Sequence, residues 1–197
     1  MSTAALEKPL PKPRRDPVGY SAARVLEALL EALLALRFLE EGYTRNAAGK
    51  AFQAWRALTA AILALERDKI AKELRDKEQI KWLLEKAIPR VLTGRLKPLA
   101  RLVEEAGYPD YTHYTSTALE LHDYQYHGPD PSGEFSKYPD REEAARDAIQ
   151  LLSKLAKIVE EYVKPKLERK GKWTEEHQEA LQKLDENRKK LQSIVNS

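Results

Sequence analysis

A chain of 197 residues is about one domain long, and its 42% of hydrophobic and 33% of charged residues are typical of a globular protein. It has no cysteine, which excludes a disulfide framework, a thiolate metal site and a cysteine nucleophile. A net charge of +3, from 34 basic and 31 acidic residues, gives no strong overall field to attract nucleic acid. Few glycines and many strong helix formers favour helices.

The first 17 residues differ from the rest of the chain. Prolines at positions 9, 11, 13 and 17 forbid a helix there, and no apolar run resembles a signal peptide. We predict that residues 1–17 form a disordered, basic, proline-rich arm that can be removed with little effect on the melting temperature. The most apolar stretch, about residues 25–39, is too short and too charged to span a membrane, so we expect a cytoplasmic protein.

Two long helices should follow as an antiparallel hairpin. The first begins with Ser21 as its N-cap and ends at Gly42, and the second runs from about Arg45 to Asp68. The first helix is apolar around most of its circumference, so it must be buried on more than one side. Either the C-terminal helix or a second copy of the chain would cover the additional side, and we expect a homodimer.

The remaining pattern also indicates helices. They are expected over about 69–87, 95–106, 112–126 and 140–164, with a last one from about Thr174, and Pro165 should kink or end the fourth of these. No segment shows the alternation of a strand. The predicted fold class is therefore all-α: an up-and-down bundle of long antiparallel helices over residues 18–163, with a C-terminal helical extension over 164–197.

One polar stripe interrupts the alanine-rich second helix. Asn46, Lys50 and Gln53 lie at i, i+4 and i+7, so they share one face. His122 and Tyr126 form a second pair at i, i+4 on the 112–126 helix. If the stripes face each other, the five residues form a pocket for an anion or a nucleotide, with Lys50 as the phosphate anchor. The alternatives are a satisfied buried polar network, or a solvent-exposed face.

Familiar catalytic and metal motifs are incomplete. Gly49 and Lys50 resemble the end of a phosphate-binding loop, but Ala51 replaces the required Ser or Thr. His122 and His127 point about 140° apart on a helix, which disfavours a shared metal ion. No G-x-S-x-G nucleophile elbow occurs. We therefore predict no catalytic residue, no metal and no cofactor. Trp55 lies on another face of its helix and should pack in the core or in a dimer interface.

Two runs are the most distinctive of the chain, RNAAGKAFQAW and LHDYQYHG. Together with the first helix before them and REEAARDAIQLL after them, they resemble the archaeal PaREP family over about residues 18–163. That family is uncharacterised and looks like a divergent, HEPN-like branch of the HEPN superfamily of helical bundles. The resemblance implies a bundle of four or five helices that usually dimerises. HEPN relatives include ribonuclease toxins and nucleotide-binding partners of small nucleotidyltransferases.

The ribonuclease relatives carry the motif Arg-x(4–6)-His, and this chain departs from it. Arg169 and His177, for instance, are separated by seven residues. We therefore expect a nucleotide-, RNA- or partner-binding module rather than an enzyme. One alternative is a degenerate metal-independent ribonuclease of toxin type, using His122 with a basic residue from another helix; another is a purely structural homodimer. The expected partners are a second copy and a nucleotide, RNA or nucleotidyltransferase-like protein, with no membrane.

Overall fold

The computed structural model describes residues 9–74 and 76–195, with side chains up to residue 190. These residues form helices and contain no β-strand, so the all-α prediction is confirmed. Within the same ranges, no helix is both long enough and apolar enough to cross a membrane.

The first two helices form the predicted hairpin, α1 (Pro17–Glu40) and α2 (Thr44–Leu65). Gly42 ends α1 as expected: its φ is 80°, and the amides of Gly42 and Tyr43 donate to the carbonyl groups of Leu39 and Phe38, which is a Schellman motif. The predicted N-cap is wrong, because Ser21 is buried inside α1. Asp16 caps the helix instead, accepting a 2.7 Å hydrogen bond from the Gly19 amide.

The next segment is more broken than predicted. It contains α3 (Arg67–Leu74), α4 (Lys77–Trp82) and α5 (Ile88–Arg90), and α6 (Leu96–Glu105) follows a 3₁₀ turn. The single helix expected over 69–87 is therefore wrong. Asp76 interrupts it, because its carboxylate accepts a 3.0 Å hydrogen bond from the Glu78 amide and so starts a new helix.

The C-terminal half consists of α7 (Tyr111–His127), α8 (Arg141–Ile158), α9 (Lys164–Arg169) and α10 (Glu175–Val195). Helical structure does not end at Pro165, since a π-helical turn (Val159–Val163) leads directly into α9. A second π-helical turn (Leu83–Ala87) precedes Pro89 in the same way. A wider turn tolerates a proline, which lacks an N–H and whose ring crowds the carbonyl group four residues earlier.

The core is built around α2, which packs against α1, α6, α7 and α8. Trp55 is fully buried there, so its expected place in the core is confirmed. The additional apolar side of α1 lies against α10, where His177 Nε2 is 2.9 Å from the Ala22 carbonyl oxygen. The C-terminal helix, one of the two expected partners of α1, thus provides this burial within one chain. The homodimer stays a prediction, which light scattering at micromolar concentration would test.

The first eight residues of the predicted arm lie outside the described part of the chain, as do residues 196 and 197. Residues 9–16 contact the bundle before α1 begins. The Pro13 carbonyl oxygen accepts a 3.2 Å hydrogen bond from Arg67, and Arg14 Nη1 lies 3.2 Å from Glu85 Oε1. That the arm is dispensable stays a prediction.

Candidate functional site

An open groove of about 600 Å³ lies where α2 begins and α7 ends. Four of the five predicted site residues line it: Asn46, Lys50 and Gln53 from α2, and Tyr126 from α7. The other lining residues are Phe38, Arg45, Gly49 and Gln125. The structure therefore brings the stripe of α2 and Tyr126 of α7 to one groove.

The fifth residue, His122, supports the groove but does not line it. Its ring stacks on Phe52 with 4.1 Å between centroids and meets the ring of Tyr126 edge-on at 5.3 Å. The Nδ1 atom of His122 lies 3.0 Å from the side-chain amide nitrogen, Nε2, of Gln125. This contact suits a neutral imidazole that carries its proton on Nε2. Burial lowers the pKa of His122, which favours this neutral form.

Gly49 allows α7 to approach α2 closely at the floor of the groove. A Cβ atom at this position would lie 2.1 Å from Gln125 Oε1, so the glutamine side chain occupies the space that any other residue would fill. Gly49 therefore has a packing role here and is not part of a phosphate-binding loop. A glycine inside an alanine-rich helix was the signal for this close approach, because glycine weakens a helix and needs a reason to be there.

Arg45 links the start of α2 to the end of α7. It donates hydrogen bonds of 3.0 and 2.5 Å to the carbonyl oxygens of Gln125 and Tyr126, in the last turn of α7, where carbonyl groups lack intrahelical partners. Arg45 was not among the predicted site residues, because it precedes Asn46 and lies off the shared face of α2. The start of α2 also carries no side-chain cap, so its first amides have no side-chain acceptor.

Lys50 is only partly available, because its ammonium group pairs with Glu31 of α1 at 2.8 Å. The Lys50 side chain is 35% exposed, whereas that of Glu31 is 13% exposed. Glu31 belongs to a polar stripe of α1 in which Arg24 and Glu27 also pair, at 2.6 Å. A partly buried lysine needs a nearby negative charge to stay protonated, and Glu31 supplies that charge within the protein.

The chemistry of the groove is one-sided. Two cationic groups and three side-chain amides line it, and no carboxylate is among its lining residues. Such a lining suits an anion that accepts several hydrogen bonds. In the described part of the chain, no group of three or more His, Asp or Glu side chains is arranged to hold a metal ion.

Comparison with known proteins places the chain in a family. A search of curated proteins and a search of solved structures each found no match. The sequence model of the archaeal PaREP1/PaREP8 family matches residues 23–149, which run from α1 into α8 and include every residue that lines the groove. This match covers more than half of the chain, so the chain belongs to the archaeal PaREP1/PaREP8 family.

Proposed function

We propose that this protein is a binding module whose groove holds the phosphate group of a nucleotide. The observation that carries the proposal is the lining of the groove, which combines Lys50 and Arg45 with side-chain amides and contains no carboxylate. The suggested kinship of the family with HEPN bundles, some of which bind nucleotides, agrees with this function.

In the proposed complex, phosphate oxygens lie between the Lys50 ammonium group and the uncapped first turn of α2. Anions bind at such helix ends because free amides and the helix dipole both favour negative charge. Asn46 and Gln53 donate hydrogen bonds from either side of Lys50 along the same face. Glu31 competes with the ligand for Lys50, so binding requires the ion pair at 2.8 Å to be shared or exchanged.

Titration calorimetry with ATP, AMP and inorganic pyrophosphate tests the proposal. Lys50→Met keeps most of the side-chain volume and removes the charge, so it should weaken binding at least about tenfold, the equivalent of one charge-assisted hydrogen bond. Lys97→Met is the matched control, since Lys97 is an exposed lysine of α6 away from the groove. It should bind each ligand as the wild type does.

The single variant leaves the mostly buried Glu31 carboxylate without its partner, which destabilises the hairpin at this point. The double variant Glu31→Gln/Lys50→Met removes both charges and separates a binding defect from a folding defect. Glu31→Gln alone should bind more tightly than the wild type, because it frees Lys50 for the ligand. The proposal is wrong if the wild type binds none of the three ligands at millimolar concentration, or if Lys50→Met binds them unchanged.

A second candidate, the degenerate ribonuclease, has one specific observation in its favour. Arg56 of α2 lies near His122: its Cζ atom is 6.0 Å from the centroid of Phe52, the ring on which His122 stacks, and its charge contributes to lowering the pKa of His122 after the larger effect of burial. This is a basic group from another helix beside the histidine. Cleavage of labelled RNA that His122→Ala abolishes and His113→Ala, at an exposed histidine, preserves would establish the enzyme. If the wild type cleaves no RNA, the ribonuclease candidate is wrong.

A further inference from the structure

Exposed aromatic rings lie in the segments that form or adjoin the groove. Among the described residues, five large hydrophobic side chains are exposed, and the three aromatic ones are Tyr43 (57%), Tyr126 (63%) and Phe135 (62%). They come from the α1–α2 turn, the end of α7 and the loop between α7 and α8. We call these three rings the aromatic surface.

Two ring contacts connect the aromatic surface to residues at the groove. Tyr126 lines the groove itself, and the next residue, His127, stacks on Phe135 with 5.7 Å between ring centroids. Tyr43 meets the groove residue Phe38 edge-on at 6.4 Å.

The rings are held in place before any ligand arrives. The Asp130 carboxylate accepts hydrogen bonds from the Phe135 amide at 2.6 Å and the Ser136 amide at 3.1 Å, which fixes the loop around Phe135. The ring of Tyr126 packs edge-on against His122, and the ring of Tyr43 packs edge-on against Phe38. A ring that is already ordered loses little conformational entropy when a flat partner stacks on it.

Cationic and amide groups accompany the rings. Arg45 and Lys50 line the groove together with Tyr126, Asn46 and Gln53, and Tyr43 directly precedes the start of α2. A protein partner would favour a contiguous apolar patch. Rings combined with cations instead match a chain whose flat bases alternate with phosphates.

We infer that the aromatic surface binds the bases of single-stranded nucleic acid, while the groove holds a phosphate of the same strand. This inference rests on the proposed function and extends it from a nucleotide to a polymer. A duplex would present its bases stacked inside the helix, where these rings cannot reach them.

Fluorescence anisotropy with a labelled oligo-uridine of about twelve nucleotides tests the inference, since single-strand sites commonly span about 4–16 nucleotides. An oligo-thymidine of equal length distinguishes RNA from DNA, and a blunt duplex is the negative probe. Tyr43→Ala, Tyr126→Ala and Phe135→Ala should each weaken single-strand binding about fivefold to a hundredfold, which corresponds to the loss of one stacked base. Leu92→Ala is the matched control, because Leu92 is 52% exposed and is not a groove residue.

Inorganic pyrophosphate separates this inference from the proposed function. Tyr43→Ala and Phe135→Ala should bind pyrophosphate as the wild type does while they lose affinity for the oligonucleotide. If the wild type binds pyrophosphate but no oligonucleotide, or if the ring variants bind the oligonucleotide as tightly as Leu92→Ala, the inference is wrong and the proposed function stands. Equal or tighter binding of the duplex would also overturn it. Loss of pyrophosphate binding by the wild type would instead count against the groove itself.

Discussion

The contact between α2 and α7 uses polar residues in opposite ways at its two ends. At the buried end, Trp55 Nε1 donates to the Thr115 hydroxyl at 2.8 Å, and the Thr59 and Tyr111 hydroxyls are 2.9 Å apart. Each threonine also donates to a carbonyl oxygen of its own helix, at 2.9 Å from Thr59 to Trp55 and at 2.8 Å from Thr115 to Tyr111. Since a hydroxyl has one proton, Tyr111 must donate to Thr59.

The buried end is therefore a closed exchange of hydrogen bonds between the two helices. The Trp55 indole of α2 donates to Thr115 of α7, and the Tyr111 hydroxyl of α7 donates to Thr59 of α2. We call these four residues the Trp–Tyr lock. The rings of Trp55 and Tyr111 stack at 4.5 Å, and burial raises the pKa of Tyr111, which keeps it protonated as a donor. At the open end, Asn46, Gln53 and Tyr126 line a groove instead. The hydrogen-bonded groups at the buried end fix the register of α2 against α7. Because the register is already fixed there, the polar groups at the open end remain available for a ligand.

Trp55→Ala, at the buried end, should give the largest change in stability. It removes the largest fully buried ring of the chain's described core together with one donor of the Trp–Tyr lock, so we expect the free energy of unfolding to fall by about 3–5 kcal/mol. Tyr126→Ala, at the open end, should change it by less than about 0.5 kcal/mol. Urea unfolding followed by circular dichroism measures both. Similar losses at the two ends would show that they do not differ in role.

A smaller effect is expected from Thr115→Val, which keeps the shape of the side chain and removes its hydroxyl. The Trp55 indole N–H is then buried without an acceptor, at a cost of about 1–3 kcal/mol. Thr59→Val should cost a similar amount, because it leaves the Tyr111 hydroxyl without its acceptor. Unfolding of the two single variants and the double variant forms a thermodynamic cycle. Strict additivity would contradict a closed exchange between the two helices.

Local signals predicted the framework of the fold well. The apolar periodicity of α1 and α2 and the stop at Gly42 depend on neighbours within a few residues, and both helices are present. The errors came from local signals that compete. Asp16 with Pro17 is a better helix start than Ser21, and Asp76 caps a new helix inside a segment whose periodicity is continuous.

The site was predictable where helical spacing carries it, within α2 and, for Tyr126, within α7. The stripe of Asn46, Lys50 and Gln53 follows from helical geometry, and all three line the groove. The contributions of Arg45 and Gln125 depend on where α7 crosses α2, which no spacing within α2 reveals. The satisfied polar network of α2 lies at Trp55 and Thr59, which do not belong to the stripe.

Acid should affect the open end and the C-terminal helix but not the Trp–Tyr lock, which contains no group that titrates near neutral pH. Burial lowers the pKa of both His122 and His177, so the folded protein keeps them neutral where the unfolded chain binds protons. Their contribution to stability is complete above about pH 6.5, the usual pKa of histidine, and is lost as the pH falls from there toward the folded-state values.

Melting temperatures between about pH 7 and pH 5 measure this effect. His177→Gln should flatten the decline, because it removes one of the two buried histidines that take up a proton on unfolding. His113→Gln should leave the decline unchanged, since His113 is exposed on α7. A wild-type stability that rises on acidification over this range would contradict the assigned neutral state of both buried histidines.

The smallest change in stability is expected from Gly49→Ala, because two opposing effects nearly cancel. Alanine inside a helix is favoured over glycine by about 1 kcal/mol. The new Cβ atom, however, would lie 2.1 Å from Gln125 Oε1 and must push that side chain away from His122, which sacrifices a hydrogen bond worth about 0.5–1.5 kcal/mol. The net change should stay within about 0.5 kcal/mol.

The two effects separate in the background of Gln125→Ala, where the space above Gly49 is empty. Adding Gly49→Ala to that variant should raise the free energy of unfolding by about 1 kcal/mol, since only the helix preference remains. Ligand binding should respond differently: Gly49→Ala displaces Gln125 toward the groove and should weaken pyrophosphate binding even though stability barely changes. If Gly49→Ala alone gave the full gain in stability and bound pyrophosphate as the wild type does, Gln125 would not be held against α2, and the floor of the groove would not depend on glycine.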